Sequence, residues 1–504
     1  MSESTLDNEE FDVVVLGTGL MESIVASELA AADKRVLHID RNPYYGGNFA
    51  CFTLSAFVEW AVEYRDPRQT PSVDIFVGSI DIDSPTFAIS HTSESKLAAV
   101  VPSNVECTDY GRTANTGLAA KLIERLSPYS VDSQSLSKRA NIADQLGKLL
   151  ENNRKYAIEL APKVAYCRGE LIDLIINAGI GEYVQFKGVE HNYIARSSLV
   201  ERVPDSKGDI FASDSLSLIE KRKLMKLMAS ITEDSEGLVG DCADMDFALF
   251  LERKFKLSEK LLDSVLYAVA RAETRDELSA HAGCKRVRKY VKSIGRYGRM
   301  AYLCAMYGGG SEIAQSFCRL CAVSGGTYIL SEDVRSIEKR DGDDTGYSIQ
   351  LAHGRVFAKH VVLDPCYAPD SAPTLSAVSR AVCILDCPVL GEDTTAILSH
   401  VADAGIVSVL YTTQATIAAP SGQSVVYAWT TGQLSDTRAL LLSALTTVCG
   451  SLAQPLFTAL YETRDMKPGE TSLPSLHHTP APDSSLDFDS AVDQALRVVA
   501  SIVN

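Results

Sequence analysis

A glycine-rich turn near the N-terminus is the clearest chemical motif in this 504-residue chain. It reads VLGTGLMES, and Gly17 and Gly19 take the first two glycine positions of a GxGxxG dinucleotide-binding turn. In a working site the first glycine makes the tight turn and the second lets backbone N–H groups approach the pyrophosphate. The third glycine allows close helix–strand packing, and here Glu22 stands in its place. The motif therefore begins as a nucleotide site and then departs from it.

The Glu22 side chain must either crowd the helix–strand contact or swing towards the helix N-terminus, where a diphosphate would sit. Two like charges about 4 Å apart cost roughly 4 kcal/mol at an effective dielectric near 20, which weakens binding about a thousandfold. A simpler interpretation is an acidic residue stabilised by the dipole of the first helical turn. Under either interpretation a flavin or nicotinamide cofactor is not expected here.

The elements around the turn complete a Rossmann unit. FDVVVLG is a β-branched run typical of a buried parallel strand, and LMESIVASELAAAD has helical periodicity. KRVLHID is a second strand and ends at Asp40, where such folds place the acid that binds a ribose. The predicted fold class is α/β, an FAD/NAD(P)-binding-like Rossmann doubly wound sheet.

The remaining chain adds an antiparallel layer and an inserted helical domain to this unit. Residues 64–140 are rich in Ser, Thr, Asp and Pro and predict a flexible insertion with short strands near 73–77 and 86–90. The period is helical between 143 and 180, and again from 213 to 298. We expect a Rossmann-like domain of residues 1–212 and 299–504 and a helical domain of residues 213–298.

The net charge of −17 argues against nucleic acid or an anionic membrane as a direct partner and suits a basic protein partner. Cys318 and Cys321 form a lone C-x-x-C that predicts core thiols rather than a metal site. The N-terminus MSESTLDNEE lacks the features of a signal peptide. We expect a cytoplasmic protein with reduced cysteines.

With these parts placed, the chain resembles the Rab escort protein and GDP-dissociation inhibitor superfamily. The matching stretches include FDVVVLGTGLMESIVA, KRVLHIDRNPYYGGN, YVQFKGV, GRYG, SEIAQSFCRLCAVSGGTYIL and VVLDPCY. This superfamily is related in fold to FAD-dependent oxidoreductases but has given up the cofactor. DPCY after a strand and DFDSAVDQAL before the last helix replace the expected flavin-facing elements. The resemblance therefore implies no cofactor and no catalysis by the chain itself.

The resemblance implies a binding platform for GDP-bound Rab GTPases. It carries over to Tyr45, Glu312, Arg319, Thr327 and Ile329. Glu312 and Arg319 are seven residues apart and share a helix face, although an ordinary solvated ion pair is the plain alternative. The chain departs from the family pattern by Ala314 for Pro, GGGSE for GxGE, and Ile329 for Met.

Two further regions take a role from the resemblance. Arg296, Tyr297 and Gly298 match a loop that the family uses near membranes or effectors, with a solvated basic helix as the alternative. The helical domain is where the family holds the geranylgeranyl lipid of the Rab, and Leu224, Met225 and Leu227 are candidate lining residues or ordinary interhelical core.

Three features favour the escort branch of the superfamily. They are the large insertion, the stretches GGNFACFTLSAFVEW and CRGELIDLII, and the run ERVPDSKGDIFASDSLSLIEKRKLMKLM. An escort protein binds GDP-bound Rab, presents it to the Rab geranylgeranyl transferase heterodimer and delivers the product to membranes, to which it associates transiently. The alternatives are a GDP-dissociation inhibitor that recycles prenylated Rab and, more remotely, an FAD-dependent oxidoreductase.

Overall fold

The computed structural model of the chain describes most residues outside the insertion. The described residues are 6, 8–63, 74–77, 145–196, 199–204, 206–233, 235–340, 346–367, 374–450, 452–466 and 475–503. Of the two strands expected in the insertion, that at 73–77 is present as Asp74–Val77, and the one at 86–90 lies outside the described residues.

Strands supply most of the framework of the described chain. In chain order they are β1 (Glu9–Leu16), β2 (Val36–Asp40), β3 (Cys51–Phe52), β4 (Asp74–Val77), β5 (Ile158–Glu159), β6 (Ala165–Tyr166), β7 (Phe186–Gly188), β8 (His191–Arg196), β9 (Leu199–Arg202), β10 (Tyr302–Ala305), β11 (Thr327–Leu330), β12 (Val334–Lys339), β13 (Tyr347–Leu351), β14 (Gly354–Leu363), β15 (Thr374–Leu385), β16 (Ala396–Ala402), β17 (Gly405–Thr412), β18 (Ser424–Thr431), β19 (Pro455–Met466) and β20 (Leu476–His478).

The helices flank these strands or form a separate cluster. They are α1 (Leu20–Ala31), α2 (Leu54–Glu63), α3 (Glu170–Asn177), α4 (Lys207–Ala212), α5 (Leu218–Glu233), α6 (Ser235–Val239), α7 (Phe247–Phe255), α8 (Glu259–Asp263), α9 (Ala280–Ser293), α10 (Gly309–Val323), α11 (Leu434–Cys449) and α12 (Asp489–Val503).

The first sheet has the order β11-β2-β1-β14-β13-β12, and β20 also pairs with β14. Strands β11, β2, β1 and β14 run parallel, whereas β13 pairs antiparallel with both β14 and β12. One face packs against α1, α10 and α12, and on the other face residues of β1, β2, β13 and β14 form a second core. The α/β Rossmann-like class with an antiparallel layer is therefore confirmed.

A second sheet of order β4-β19-β15-β18-β17-β16-β8-β9 forms the antiparallel part of the domain, apart from the parallel pair β8–β16. One face of this sheet shares a core with the helices α5 to α9, and the other face packs against α11. The helical region begins at Lys207, earlier than the expected 213, and runs to Ser293 with a π-helical turn at Ser264–Val269.

The expectation of helix from 143 to 180 is partly wrong. Residues 145–150 are helical, but the chain then forms short strands β5 and β6 before α3 begins at Glu170. Pro162 breaks the periodicity, and β5 and β6 are held by pairing with β3 and β10. Tertiary pairing has overridden a local helical pattern here.

Candidate functional site

The glycine turn between β1 and α1 keeps the backbone geometry of a nucleotide-binding loop. Gly17 has φ +106°, a backbone conformation that residues other than glycine rarely adopt. Its N–H donates to the Ile39 carbonyl at 2.8 Å. The Gly17 carbonyl is 2.6 Å from Nε2 of the buried His38. Burial lowers the pKa of His38 to about 4, so the ring is a neutral donor at physiological pH.

Glu22 closes this loop from the helix side. Its carboxylate is fully buried, lies against Gly19 and accepts a hydrogen bond from the Thr479 hydroxyl. Burial, followed by the nearby charge of Asp364, raises the pKa of Glu22 to about 8. Of the two placements expected from the sequence, the structure shows the swing towards the helix N-terminus, where it occupies the diphosphate position.

Asp40 is also committed to internal contacts. One of its oxygens accepts from the Thr18 amide at 2.8 Å and the Thr18 hydroxyl at 2.5 Å. The other accepts from the backbone and side-chain amides of Asn42 at 2.8 and 3.0 Å. The carboxylate that would bind a ribose in a Rossmann enzyme is thus buried and saturated by its own chain.

Asp364, which follows the last residue of β14, lies against the glycine turn from the other side. Its Cβ lies so close to Gly17 that a side chain at position 17 would collide with it, and its Oδ2 faces Gly19 and Gly47. Two buried carboxyl groups therefore stand where a pyrophosphate would lie against the backbone. The residues present do not fit a flavin or a nicotinamide dinucleotide.

A second region, an open groove, lies along α10. The two regions touch where the Ser23 hydroxyl and the Cys318 thiol are 3.2 Å apart. The groove has a volume of about 610 Å³, and we refer to it as the charged groove. It is lined by Tyr45, Glu182, Tyr183, Glu312, Gln315, Ser316, Cys318, Arg319, Ala322 and Tyr328.

Aromatic rings organise the charged groove. Tyr45 stacks on Tyr328 with ring centroids 5.6 Å apart and planes 5° apart. The Arg319 guanidinium carbon lies 4.3 Å from the centre of the Tyr183 ring, a cation–π contact. The groove thus presents large amphipathic side chains with little freedom to rearrange.

Glu312 and Arg319 line the groove without neutralising each other. Both come from α10, seven residues apart, and Arg319 is exposed while Glu312 is half-buried. Neither forms an ion pair with any residue within the described part of the chain. The simple surface ion pair considered from the sequence is therefore not what the structure shows, and an acceptor and a donor fork remain available to a partner.

Thr327 and Ile329 lie on the opposite face of β11 from the charged groove. Tyr328 points to the groove side, where its ring meets the edge of His38. Side chains alternate along a strand, and Ile329 packs with the core formed by β12 and β13. Since β11 is the edge strand, a partner reaches these two residues only by passing over that edge.

Arg296 holds the loop at 296–298 in place. Its guanidinium donates a hydrogen bond to the Cys167 carbonyl at 2.9 Å and forms an ion pair with Asp173 at 2.7 Å. Tyr297 is exposed and Gly298 adopts φ +147°. Tyr297 borders a second concave surface of about 390 Å³, which we refer to as the apolar groove. This groove is lined by Ile172, Ile175, Ile176, Gly181, Val184, Phe186, Gly188, Tyr297, Met300 and Leu303.

In the helical region, Leu224 and Leu227 are buried in the core shared with α7 and α9, and Met225 packs against that core. A lipid would reach these residues only if the helices separated. The thiols of Cys318 and Cys321 are buried in α10, as expected for core cysteines. The described residues contain no group of three or more His, Cys, Asp or Glu side chains placed to hold a metal ion.

Sequence reasoning missed Tyr183 and Tyr328 in the charged groove and Thr479 in the closed loop. Tyr328 could have been found, because it alternates with the singled-out Thr327 and Ile329. Asp364 belongs to DPCY, which the sequence marked as a departure from flavin enzymes. Tyr183 opens the stretch YVQFKGV that carries the resemblance, but nothing local in the sequence indicates that Tyr183 meets Arg319 or that Thr479 meets Glu22.

Comparison with known proteins places the chain in a family. The family model described as GDP dissociation inhibitor matches residues 7–74 and 106–402. "Rab proteins geranylgeranyltransferase component A 1" of Caenorhabditis elegans is 30% identical over 384 residues, covering 73% of this chain and 68% of that protein. The component A of Drosophila melanogaster is 27% identical and covers 97% of this chain and 87% of its own length.

Solved structures agree on the fold. Rab GDI from Plasmodium falciparum superposes with a TM-score of 0.68 at 18% identity and covers 98% of each chain. An oxidoreductase from Methanosarcina mazei superposes with a TM-score of 0.53 at 11% identity, covering 97% of this chain and all of its own. The match of the family model over most of the chain decides the assignment: the chain belongs to the GDP dissociation inhibitor family.

Proposed function

We propose that this protein is an escort protein that binds GDP-bound Rab GTPases, presents them to Rab geranylgeranyl transferase and delivers the prenylated product to membranes. The protein performs no chemistry in this scheme; the transferase supplies the catalysis and the GTPase carries the nucleotide. Three relatives support the assignment by name: the human, worm and fly proteins are each called component A of a Rab geranylgeranyltransferase.

The charged groove is the observation that carries the proposal. Arg319 offers a planar donor fork and Glu312 an acceptor, and neither is used by an ion pair within the described residues. Tyr45 adds an amphipathic ring at the same surface. Arginine and tyrosine are the residues that most often anchor protein interfaces, which suits binding of a folded GTPase domain.

A flexible tail of the GTPase fits the apolar groove. The two grooves meet at residues 181–184, because Tyr183 lines the charged groove and Val184 the apolar one. An extended chain that leaves the bound GTPase can therefore continue over exposed Ile176 and Tyr297. Arg296, Tyr297 and Gly298 serve in this scheme to shape one wall of the tail site.

The helical region offers a surface for the transferase. Phe211, Leu218 and Ile219, at the junction of α4 and α5, are 68%, 73% and 65% exposed. Large apolar side chains clustered on one exposed corner are typical of an interaction site. The lipid of the prenylated GTPase would enter the same region by separating the helices that bury Leu224 and Leu227.

A GDP-dissociation inhibitor acting only on prenylated Rab is the second candidate, because the family model carries that description. The names of the relatives favour the escort function. No helix within the described ranges is long and apolar enough to cross a membrane.

The test is a prenylation assay with unprenylated, GDP-loaded Rab and the purified transferase heterodimer. We expect the protein to bind Rab and to be required for lipid transfer. Phe211→Ala should retain Rab binding but reduce transfer, whereas Leu452→Ala, an equally exposed apolar residue elsewhere, should change neither. Binding only to prenylated Rab, with no support of transfer, would favour the dissociation inhibitor and contradict the proposal.

A further inference from the structure

The contact between Arg319 and Tyr183 joins two distant parts of the chain. Arg319 lies on α10, and Tyr183 lies in the turn that follows α3. The guanidinium carbon lies over the ring, 4.3 Å from its centre. Arg319 has no ion-pair partner within the described part of the chain that would hold it instead.

The Tyr183 ring rests on a fixed backbone. The Tyr183 N–H donates to the Ile180 carbonyl at 3.0 Å, and the next residue, Val184, is buried in the core against α3. The tyrosine side chain has only two rotatable torsions, and here it is 44% exposed on the groove side. It therefore provides a rigid exposed surface for a long side chain that would otherwise move freely.

We propose that Tyr183 is a positioning residue for the Rab site: it holds the Arg319 fork in the orientation that binds the GTPase. This inference rests on the proposed function, in which Arg319 contacts the partner. A free arginine loses rotamer entropy when it binds, and holding it in place beforehand reduces that loss. Tyr183 contributes to affinity through Arg319 and not by a contact of its own.

The experiment measures the affinity for unprenylated, GDP-loaded Rab in a double-mutant cycle of Tyr183→Leu and Arg319→Ala, with a thermal melt for each variant. Tyr183→Leu should weaken binding roughly two- to fivefold, the size of an exposed cation–π contact. Tyr183→Phe keeps the ring and should stay within about twofold of the wild type. On the Arg319→Ala background, Tyr183→Leu should have no further effect.

The outcomes separate this inference from the proposed function. If Arg319→Ala weakens binding but Tyr183→Leu does not, the positioning role is wrong and the Rab site stands. If Tyr183→Leu weakens binding equally with and without Arg319, Tyr183 contacts the partner directly and the inference is overturned. If neither variant changes affinity while both melt normally, the charged groove is not the Rab site and the inference is overturned, whereas failure of the wild-type protein to bind Rab at all would contradict the proposed function.

Discussion

The glycine loop and the charged groove lie on either side of one contact, Ser23 to Cys318, yet they treat polar groups in opposite ways. In the loop, Glu22 and Asp40 are buried and bonded to the chain's own groups. In the groove, Glu312 and Arg319 border open space and make no ion pair with the described residues. Polar groups that satisfy one another hold a fold together, whereas polar groups left available bind a partner.

The loop keeps the tight glycine turn typical of a nucleotide site, but the chain's own side chains supply its hydrogen-bonding partners. Substitutions in the loop should therefore change stability, and substitutions in the groove should change binding. Four variants test that division.

Asp40→Ala should produce the largest loss, and it should be a loss of stability. It leaves the buried amide and hydroxyl of Thr18 and the amide of Asn42 without their acceptor. Each buried unsatisfied group costs about 1–3 kcal/mol, so we expect at least about 3 kcal/mol from denaturant unfolding. Asp40→Asn, which retains one acceptor oxygen, should lose less. An unchanged unfolding midpoint for Asp40→Ala would show that the loop is not held by Asp40.

Arg319→Ala should produce the largest loss of binding. We expect affinity for GDP-loaded Rab to fall by about 2 kcal/mol or more, as for a central arginine anchor. The melting temperature should change little, because the contact that the variant loses, the exposed cation–π contact with Tyr183, is weak. Arg335→Ala is the matched control, an exposed arginine on β12 at the far edge of the same sheet. Equal affinities for both variants would remove Arg319 from the site.

Glu22→Gln should stabilise the protein at alkaline pH. The pKa of Glu22 is about 8 in the folded state and near 4.5 ordinarily, so the folded protein keeps a proton that the unfolded chain releases between those values. Its contribution to stability is therefore lost as the pH rises through about 8. The glutamine is neutral throughout, so at pH 9 we expect it to be more stable than the wild type. At pH 5 the two proteins should unfold alike.

The matched control for this pH dependence is Glu28→Gln, on the same helix but only half-buried. It should shift the alkaline stability much less. A wild-type protein whose stability does not decline between pH 6 and 9 would contradict the placement of a protonated carboxyl group in the loop.

Thr327→Ala should produce the smallest effect. Thr327 lies on the face of β11 away from the charged groove, so we expect a change in Rab affinity within about 0.5 kcal/mol, as for an ordinary surface substitution. A loss as large as that of Arg319→Ala would show that the GTPase wraps over the strand edge. That result would extend the site to Ile329 as well.

The sequence predicted the Rossmann unit because β-branched strands, a glycine turn and a segment of helical periodicity follow in short order. It also identified Glu22 and Asp40, since motif spacing marks those positions, and it correctly placed Glu312 and Arg319 on one helix face. It could not find Tyr183 or Thr479, because each meets its partner across more than a hundred residues of chain. The short strands β5 and β6 were missed for a related reason, since pairing partners distant in sequence decide their conformation.

The most direct test of the account is a pair of titrations on the same purified protein by isothermal titration calorimetry, one with FAD and one with unprenylated, GDP-loaded Rab. We predict no saturable heat with FAD, because Glu22 and Asp364 fill the diphosphate position, and stoichiometric binding of Rab. Stoichiometric FAD binding would show that the loop still opens to a cofactor. If FAD bound and Rab did not, the proposed function would be wrong and the FAD-dependent oxidoreductase alternative would be favoured.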